Sequence, residues 1–182
     1  MRKLAAILTV LASPALATGL KIEVTGEANG IITIDLLEDV APQNAARLTE
    51  LAGEGAYDDV VFHRVIDGFM AQTGDVQYGK VGGNIALAGR GGSDKPNLPA
   101  EFSDVPFDRG AVGMARAQDP NSANSQFFIM FDKGHFLNGQ YTIVGRVTEG
   151  MDVVDAIKKG SRAANGAITG NPDVMSRVTV ID

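Results

Sequence analysis

The stretch "FHRVIDGFMAQTGD", residues 62–75, sets one arginine, Arg64, among residues largely suited to burial. A guanidinium keeps its charge at any working pH and holds its donors in a planar fork. An unpaired cation in apolar surroundings is costly, so Arg64 must snorkel to water, pair with an acid, or face a cleft. Side chains alternate along a strand, which predicts Phe62, Arg64 and Ile66 on one face and His63, Val65 and Asp67 on the other. A second candidate lies in "SQFFIMF". There Phe127, Ile129 and Phe131 form one apolar face, while Gln126, Phe128 and Met130 set an amide beside an aromatic ring and a thioether. That second face suits either a pocket for a mostly hydrophobic ligand or a sheet exterior covered by a helix.

Other chemistries are excluded. The chain has no cysteine, which removes disulfides, thiolate zinc sites and cysteine nucleophiles. His63 and His135 are far apart and show no ligand spacing with carboxylates, so no metal site is expected. Neither a P-loop, a dinucleotide fingerprint, a G-x-S-x-G elbow nor an H-E-x-x-H helix is present. "GRGGSDKP" resembles a phosphate loop only superficially and is expected to be a flexible surface loop. No cofactor is called for.

The elements that must position these residues can be read from the pattern. "KIEVTGEANGIITIDLL" predicts two strands, Lys21 to Thr25 and Ile31 to Leu36, around a Gly and Asn turn. In "EDVAPQNAARLTELAGEG" the period changes: Ala41, Ala45, Leu48 and Ala52 make a helical stripe, Pro42 suits the first turn, and Gly53 and Gly55 suit a stop. "YDDVVFHRVI" reads as a single strand. Residues 73–100, rich in Gly with Pro96 and Pro99, read as a long surface loop. Further strands follow at "GAVGMAR", "SQFFIMF", "YTIVGRV" and "SRVTVID". "EGMDVVDAIKKG" supplies a second helix with Val153 or Val154 and Ile157 at helical spacing, ended by Gly160. Seven or eight strands with two helices and no strand-helix alternation predict a mainly β fold, a closed antiparallel barrel with its helices packed at the ends.

The 182 residues, 45% hydrophobic and 21% charged, fit one globular domain. The opening "MRKLAAILTVLASPALATG" has the charged start, apolar run and Ala15-Leu16-Ala17 pattern of a secretory leader, so residues 1–17 are expected to be removed and 18–182 to form the domain. The net charge is −6, and loss of Arg2 and Lys3 makes the mature part more acidic still. An acidic protein does not seek phosphate backbones, so nucleic acid is not an expected partner. No later segment has the ~20 apolar residues of a membrane span.

The runs "FHRVIDGFMAQTGD", "GMARAQDPNSANSQFFIMF" and "FLNGQYTIVGRVTEGMDVVDAI" together resemble the cyclophilin family of peptidyl-prolyl cis-trans isomerases, and the likeness extends over nearly all of residues 18–182. The resemblance implies an eight-stranded barrel capped by two helices, with an active groove on its outer surface. Position by position, Arg64 matches the catalytic arginine. Phe69, Met70, Phe128 and Leu137 match the pocket for the proline ring, and Gln72 and Gln126 the groups that hold the substrate backbone. Gly79, Ala115 and Arg116 match groove-lining positions. Three residues depart from common family patterns. Arg116 stands where Asn is frequent, Phe136 where many eukaryotic members have Trp, and Tyr141 where His is frequent. Phe136 puts tight ciclosporin binding in question. The implied partners are proline-containing peptides and folding exported proteins, met by a periplasmic monomer. A non-catalytic proline-peptide binding module or chaperone could use the same groove, but it would be free to lose Arg64.

Overall fold

The computed structural model describes residues 18–182. The expected leader, residues 1–17, lies outside the described residues. Among the described residues nine strands form one antiparallel sheet: β1 (Gly19–Thr25), β2 (Gly30–Leu36), β3 (Val60–Val61), β4 (Arg64–Ile66), β5 (Met70–Thr73), β6 (Ala111–Met114), β7 (Phe127–Met130), β8 (Ile143–Glu149) and β9 (Val174–Ile181). Their lateral order is β3-β9-β1-β2-β8-β6-β7-β5-β4. The two edge strands, β3 and β4, are separated along the chain only by Phe62 and His63, so the sheet curls until its ends meet through the backbone itself. This removes most of the open edge that a nine-stranded sheet would otherwise present.

The expected count of eight strands becomes nine because "YDDVVFHRVI" is not one continuous strand. Its partner on one side changes midway. Val60 and Val61 pair with β9, whereas the residues that follow bond to the irregular segment before β9: Phe62 N–H to Asp173 O (2.9 Å), Ile168 N–H to His63 O (3.1 Å) and Val65 N–H to Gly166 O (2.7 Å). The break also shifts the facing. Phe62 and Val65, expected on opposite faces, both lie in the interior core, while Ile66 packs against a second apolar cluster on the outer side. Arg64 thus does not share a face with Phe62.

The interior is filled by alternate residues of the long strands, Leu20, Ile22, Ile32 and Ile34 among them, together with Phe127, Ile129 and Phe131 of the "SQFFIMF" run. Its other face, Phe128 and Met130, joins Met70, Phe107, Leu137 and Ile143 in the outer cluster. The two-faced reading of this strand therefore corresponds to two separate apolar bodies, one inside the sheet and one beneath its outer surface.

Helix α1 (Pro42–Gly53) covers one end of the sheet with Ala45, Leu48, Leu51 and Ala52 buried, and α2 (Met151–Ala156) contributes Val154. The residue before α1, Ala41, has no side chain that could cap the helix. Glu101, from the long loop, supplies the cap instead, its carboxylate accepting the N–H groups of Gln43 (3.1 Å) and Asn44 (3.0 Å) and the Asn44 amide (2.7 Å). A carboxylate there also complements the positive end of the helix. Arg47, buried on α1, donates twice to Pro96 O at 3.0 Å.

The Gly-rich loop expected to be flexible is fastened at several points. Asp75, fully buried, accepts four backbone N–H groups from Gln77, Tyr78, Gly89 and Gly91, folding residues 75–91 around one carboxylate. Beyond it, Asn124 Oδ1 accepts from Ser93 N–H at 2.7 Å.

His63, at the break between β3 and β4, is buried, and neither ring nitrogen has a hydrogen-bond partner among the described residues. Burial lowers its pKa from 6.5 to about 4, with the nearby Asp75 carboxylate opposing the shift. The folded protein therefore keeps His63 neutral where the unfolded chain takes up a proton. Its contribution is intact above pH 6.5 and is lost as the pH falls toward about 4, a loss on the order of 2 to 3 kcal/mol. In His63→Phe, urea unfolding at pH 7 and pH 4.5 should show a smaller acid-induced loss of stability than in the wild type. An unchanged difference would mean that other groups carry the acid sensitivity.

Candidate active site

The hairpin β4–β5 carries the arginine. Its turn places Gly68 at φ +72°, and Phe69 N–H closes it on Ile66 O at 3.0 Å. Register does the rest: Arg64 lies opposite Gln72, Gln72 opposite Phe128 on β7, and Phe128 opposite Gly113 on β6. One row across four strands thus holds a cation, an amide, an aromatic ring and a residue without a side chain. Gly113 is required here, because a Cβ at this position would lie 2.4 Å from the Phe128 ring and 2.6 Å from Phe107. Phe128 settles into that space, stacked on Phe107 with ring centres 5.9 Å apart, and Tyr141 meets it edge-on at 5.9 Å.

Above this floor is a groove of about 320 Å³ lined by Arg64, Phe69, Met70, Gln72, Ala115, Arg116, Phe128, Phe136, Leu137 and Tyr141. It gathers ten of the twelve residues singled out in the sequence. Gln126 lines the adjoining cavity of about 400 Å³, which shares Gln72, Ala115 and Arg116 with the groove and is walled by the 89–93 loop. Gly79 is the exception, since it lines neither cavity. It is buried, donating to Asp75 O and accepting from Val61 N–H. The glycines that border the site are Gly89, Gly91 and Gly92. A long Gly-rich loop has no hydrophobic period, so nothing in its sequence fixes which glycine comes back to the site.

The polar groups are tied in sequence. Arg64 Nη1 donates to Gln72 Oε1 (3.1 Å), Gln72 Nε2 to Gln126 Oε1 (2.9 Å), and Gln126 Nε2 to the Gly91 carbonyl (2.7 Å). Each amide is thereby fixed in one orientation. On its other edge the guanidinium meets Asn165, with Nε donating to the backbone carbonyl (3.0 Å) and Nη2 to Oδ1 (3.1 Å). Nη1 also approaches Met70 Sδ at 3.8 Å. All of these acceptors are neutral, and no salt bridge to Arg64 occurs among the described residues. Partial burial lowers its pKa, Tyr141 opposing the shift, yet an arginine stays charged. Of the three fates open to Arg64, the structure selects the cleft, with the charge directed and left uncompensated. Five N–H donors meet four acceptors, so one N–H of Nη2 remains for a further acceptor.

Arg116 braces the opposite wall. Its guanidinium lies 4.4 Å from the Tyr141 ring centre and donates to the carbonyls of Gln140 (2.9 Å) and Ala117 (2.9 Å). Such a stacked cation contributes about 0.5 to 2 kcal/mol and holds the ring that borders Phe128. Phe136 is 65% exposed at the rim, its ring 5.5 Å from that of Phe69.

Phe107, Gly113, Asp75, Gly91 and Asn165 all shape the site and were not singled out in the sequence. Asn165-Gly166 was legible as a turn signal, but only contact with Arg64 reveals its place.

Comparison with known proteins agrees with this architecture. Residues 20–180 match the family model described as "Cyclophilin type peptidyl-prolyl cis-trans isomerase/CLD". A probable peptidyl-prolyl cis-trans isomerase of Brucella suis is 60% identical over 154 residues, covering 84% of this chain and 78% of the relative. The counterpart in Brucella abortus is 59% identical over the same length. Among solved structures, cyclophilin AquaCyp293 from Hirschia baltica superposes with a TM-score of 0.71 at 26% identity, over 88% of this chain and 73% of that one. A Cryptosporidium parvum cyclophilin type isomerase, solved in the presence of the dipeptide Ala-Pro, gives 0.74 at 24% identity over 90% and 99% of the two chains. With a family model spanning nearly all described residues and relatives of this identity, the chain belongs to the cyclophilin type peptidyl-prolyl cis-trans isomerases.

Proposed function

We propose that the groove binds proline-containing segments of exported proteins and that Arg64 stabilises the twisted X-Pro amide through which cis and trans forms interconvert. Rotation about an amide faces a barrier of about 18 to 20 kcal/mol because the nitrogen lone pair is delocalised into the carbonyl. As the bond twists, the lone pair returns to a pyramidal nitrogen, and a cationic N–H aimed at it forms a better hydrogen bond than it could with the planar amide. The observation that carries this reading is the guanidinium itself: oriented by neutral acceptors, it keeps its full charge and one N–H of Nη2 available beside an apolar groove.

Phe69, Met70, Phe128 and Leu137 would seat the proline ring, Ala115 and Tyr141 would flank it, and Gln72 and Gln126 would hold the peptide backbone. A fixed ring in an apolar seat lets the acyl side rotate and keeps water from competing for the carbonyl. No nucleophile or leaving group takes part, since no bond is made or broken. The Ala-Pro dipeptide studied with the Cryptosporidium parvum relative supports proline peptides as ligands. The leader-like residues 1–17 support export to the periplasm, where such a catalyst would meet chains that are still folding.

Arg64→Ala should lose about 3 to 4 kcal/mol of transition-state stabilisation, roughly a hundred- to thousandfold in kcat/KM, with a much smaller fall in peptide affinity. Arg64→Lys should also be poor, because an ammonium lacks the planar fork. Exchange NMR on an X-Pro peptide, beside calorimetric titration, measures both quantities. Near-normal turnover in Arg64→Ala would overturn the catalytic role and favour a groove that only binds.

At the rim, Phe136→Trp adds apolar area and an indole N–H donor. The variant should bind ciclosporin more tightly by calorimetry while peptide turnover stays within about a fewfold. Equal or weaker binding would remove Phe136 from the ligand-facing rim.

Export is checked by mass. The cell-envelope fraction should contain a protein beginning at or near Thr18, and a full-length cytosolic product would refute processing.

A further inference from the structure

We infer that Asn165 is the positioning residue for the Arg64 guanidinium, so that the turn joining α2 to β9 is part of the isomerase machinery. This rests on the catalytic role proposed for Arg64. Asn165 meets the Nε and Nη2 edge of the fork with two oxygens of one residue, its backbone carbonyl at 3.0 Å and its side-chain Oδ1 at 3.1 Å. Gln72 holds the other edge at 3.1 Å. Gripped on both edges, the plane cannot turn about its own axis, and the remaining N–H of Nη2 has a defined direction.

The backbone of the turn is shaped for this grip. Asn165 lies in the left-handed region, φ +53° and ψ +37°, at the end of the short 3-10 turn Arg162–Ala164. Asparagine tolerates that region better than other residues with a Cβ. Its conformation is fixed from both sides, Asn165 N–H donating to Arg162 O (3.1 Å) and Gly166 N–H to Ser161 O (2.8 Å). The turn is also pressed onto β4. Val65 N–H donates to Gly166 O (2.7 Å), Gly160 N–H donates to Val65 O (2.9 Å), and Arg64 pairs with Ala167 in an isolated bridge. A Cβ on Gly166 would lie 2.4 Å from the Ile66 side chain, and one on Gly160 would lie 2.0 Å from the Gly166 carbonyl. Both positions need glycine for the turn to come this close, which brings the Asn165 oxygens to the guanidinium.

Asn165 is itself exposed, so its two bonds lie at the solvent edge of the groove and contribute little to overall stability. Their effect is geometric. Without Oδ1, the Nη2 end can swing toward water, and a misplacement on the order of 1 Å at a reacting centre lowers rates by up to about a hundredfold. Neutrality matters as much, because a carboxylate here would pair with Arg64 and weaken the field at the prolyl nitrogen.

The test compares Asn165→Gly, which keeps the left-handed backbone and its carbonyl but removes Oδ1, with Asn165→Asp, which keeps an acceptor in place. Exchange NMR on an X-Pro peptide should give a kcat roughly tenfold lower for Asn165→Gly, with KM within about twofold and an unchanged thermal midpoint. In ligand-free protein, rotation about the Arg64 Cζ–Nη bonds, read from guanidinium resonances, should be slow in the wild type and in Asn165→Asp and fast in Asn165→Gly. In an Arg64→Ala background the Asn165→Gly change should have no further effect on kcat/KM. The inference is overturned if Asn165→Gly turns over normally while Arg64→Ala is crippled, or if its loss is the same in the Arg64→Ala background. Should Arg64→Ala retain turnover, the proposed role of Arg64 falls first and the inference falls with it, an outcome visible in the single variant alone.

Discussion

The site is organised around one interaction: the Arg64 guanidinium is held on both edges by neutral acceptors and is not neutralised. A carboxylate partner would hold it more strongly but would compensate the charge that the proposed mechanism directs at the twisted amide. This fold uses only neutral oxygens and a thioether, from Gln72, Asn165 and Met70, and they come from two directions along the chain. That arrangement requires the strand of Arg64 to lie between β5 on one side and the turn before β9 on the other. Arg64 therefore stands at the seam where the curled sheet meets itself, paired with β5 on one side and bridged to Ala167 on the other.

From that seam the hydrogen bonds run outward through the Gln72 and Gln126 amides to the Gly91 carbonyl, and the Gly91 N–H returns to Asp75. Asp75 is a buried carboxylate, and the four N–H groups it accepts are what such a charge requires in order to be tolerated. Its negative charge is thus spent on folding the 75–91 loop, several bonds away from Arg64, instead of on the arginine. The same loop continues to Pro96 and Glu101, which bind Arg47 and the start of α1. A helix at one end of the sheet and an amide in the groove are in this way linked through one irregular segment with no regular strand or α-helix.

The apolar side follows the same economy of parts. Phe128 needs depth, and Gly113 provides it by having no side chain. Phe107, from the loop before β6, fills the space beneath, and Tyr141, braced by Arg116, closes the side. Arg116 and Tyr141 are therefore in contact with each other, a cation over a ring, so the two residues act on the groove as one unit.

Much of this was legible in the chain itself. Alternation gave the two faces of residues 126–131, since a strand's period of two is local and independent of its partners. A period near 3.6 with Pro42 and Gly53 gave the first helix, because helical hydrogen bonds are also local. The motif runs carried ten of the twelve proposed residues into one groove, since those runs are strands and turns whose internal spacing survives folding. Tertiary structure decided the rest. Phe62 changed faces because its strand exchanges one partner for another at His63, and pairing is a property of two segments. Gly79 gave way to Gly91, and Glu101 came to cap α1, because in the long loop position is set by where Asp75 and α1 bind it and not by any period of its own. Asn165 reached Arg64 across 101 positions of sequence because glycines at 160 and 166 let two backbones touch, and which distant backbone lies beside a glycine is decided only when the sheet closes.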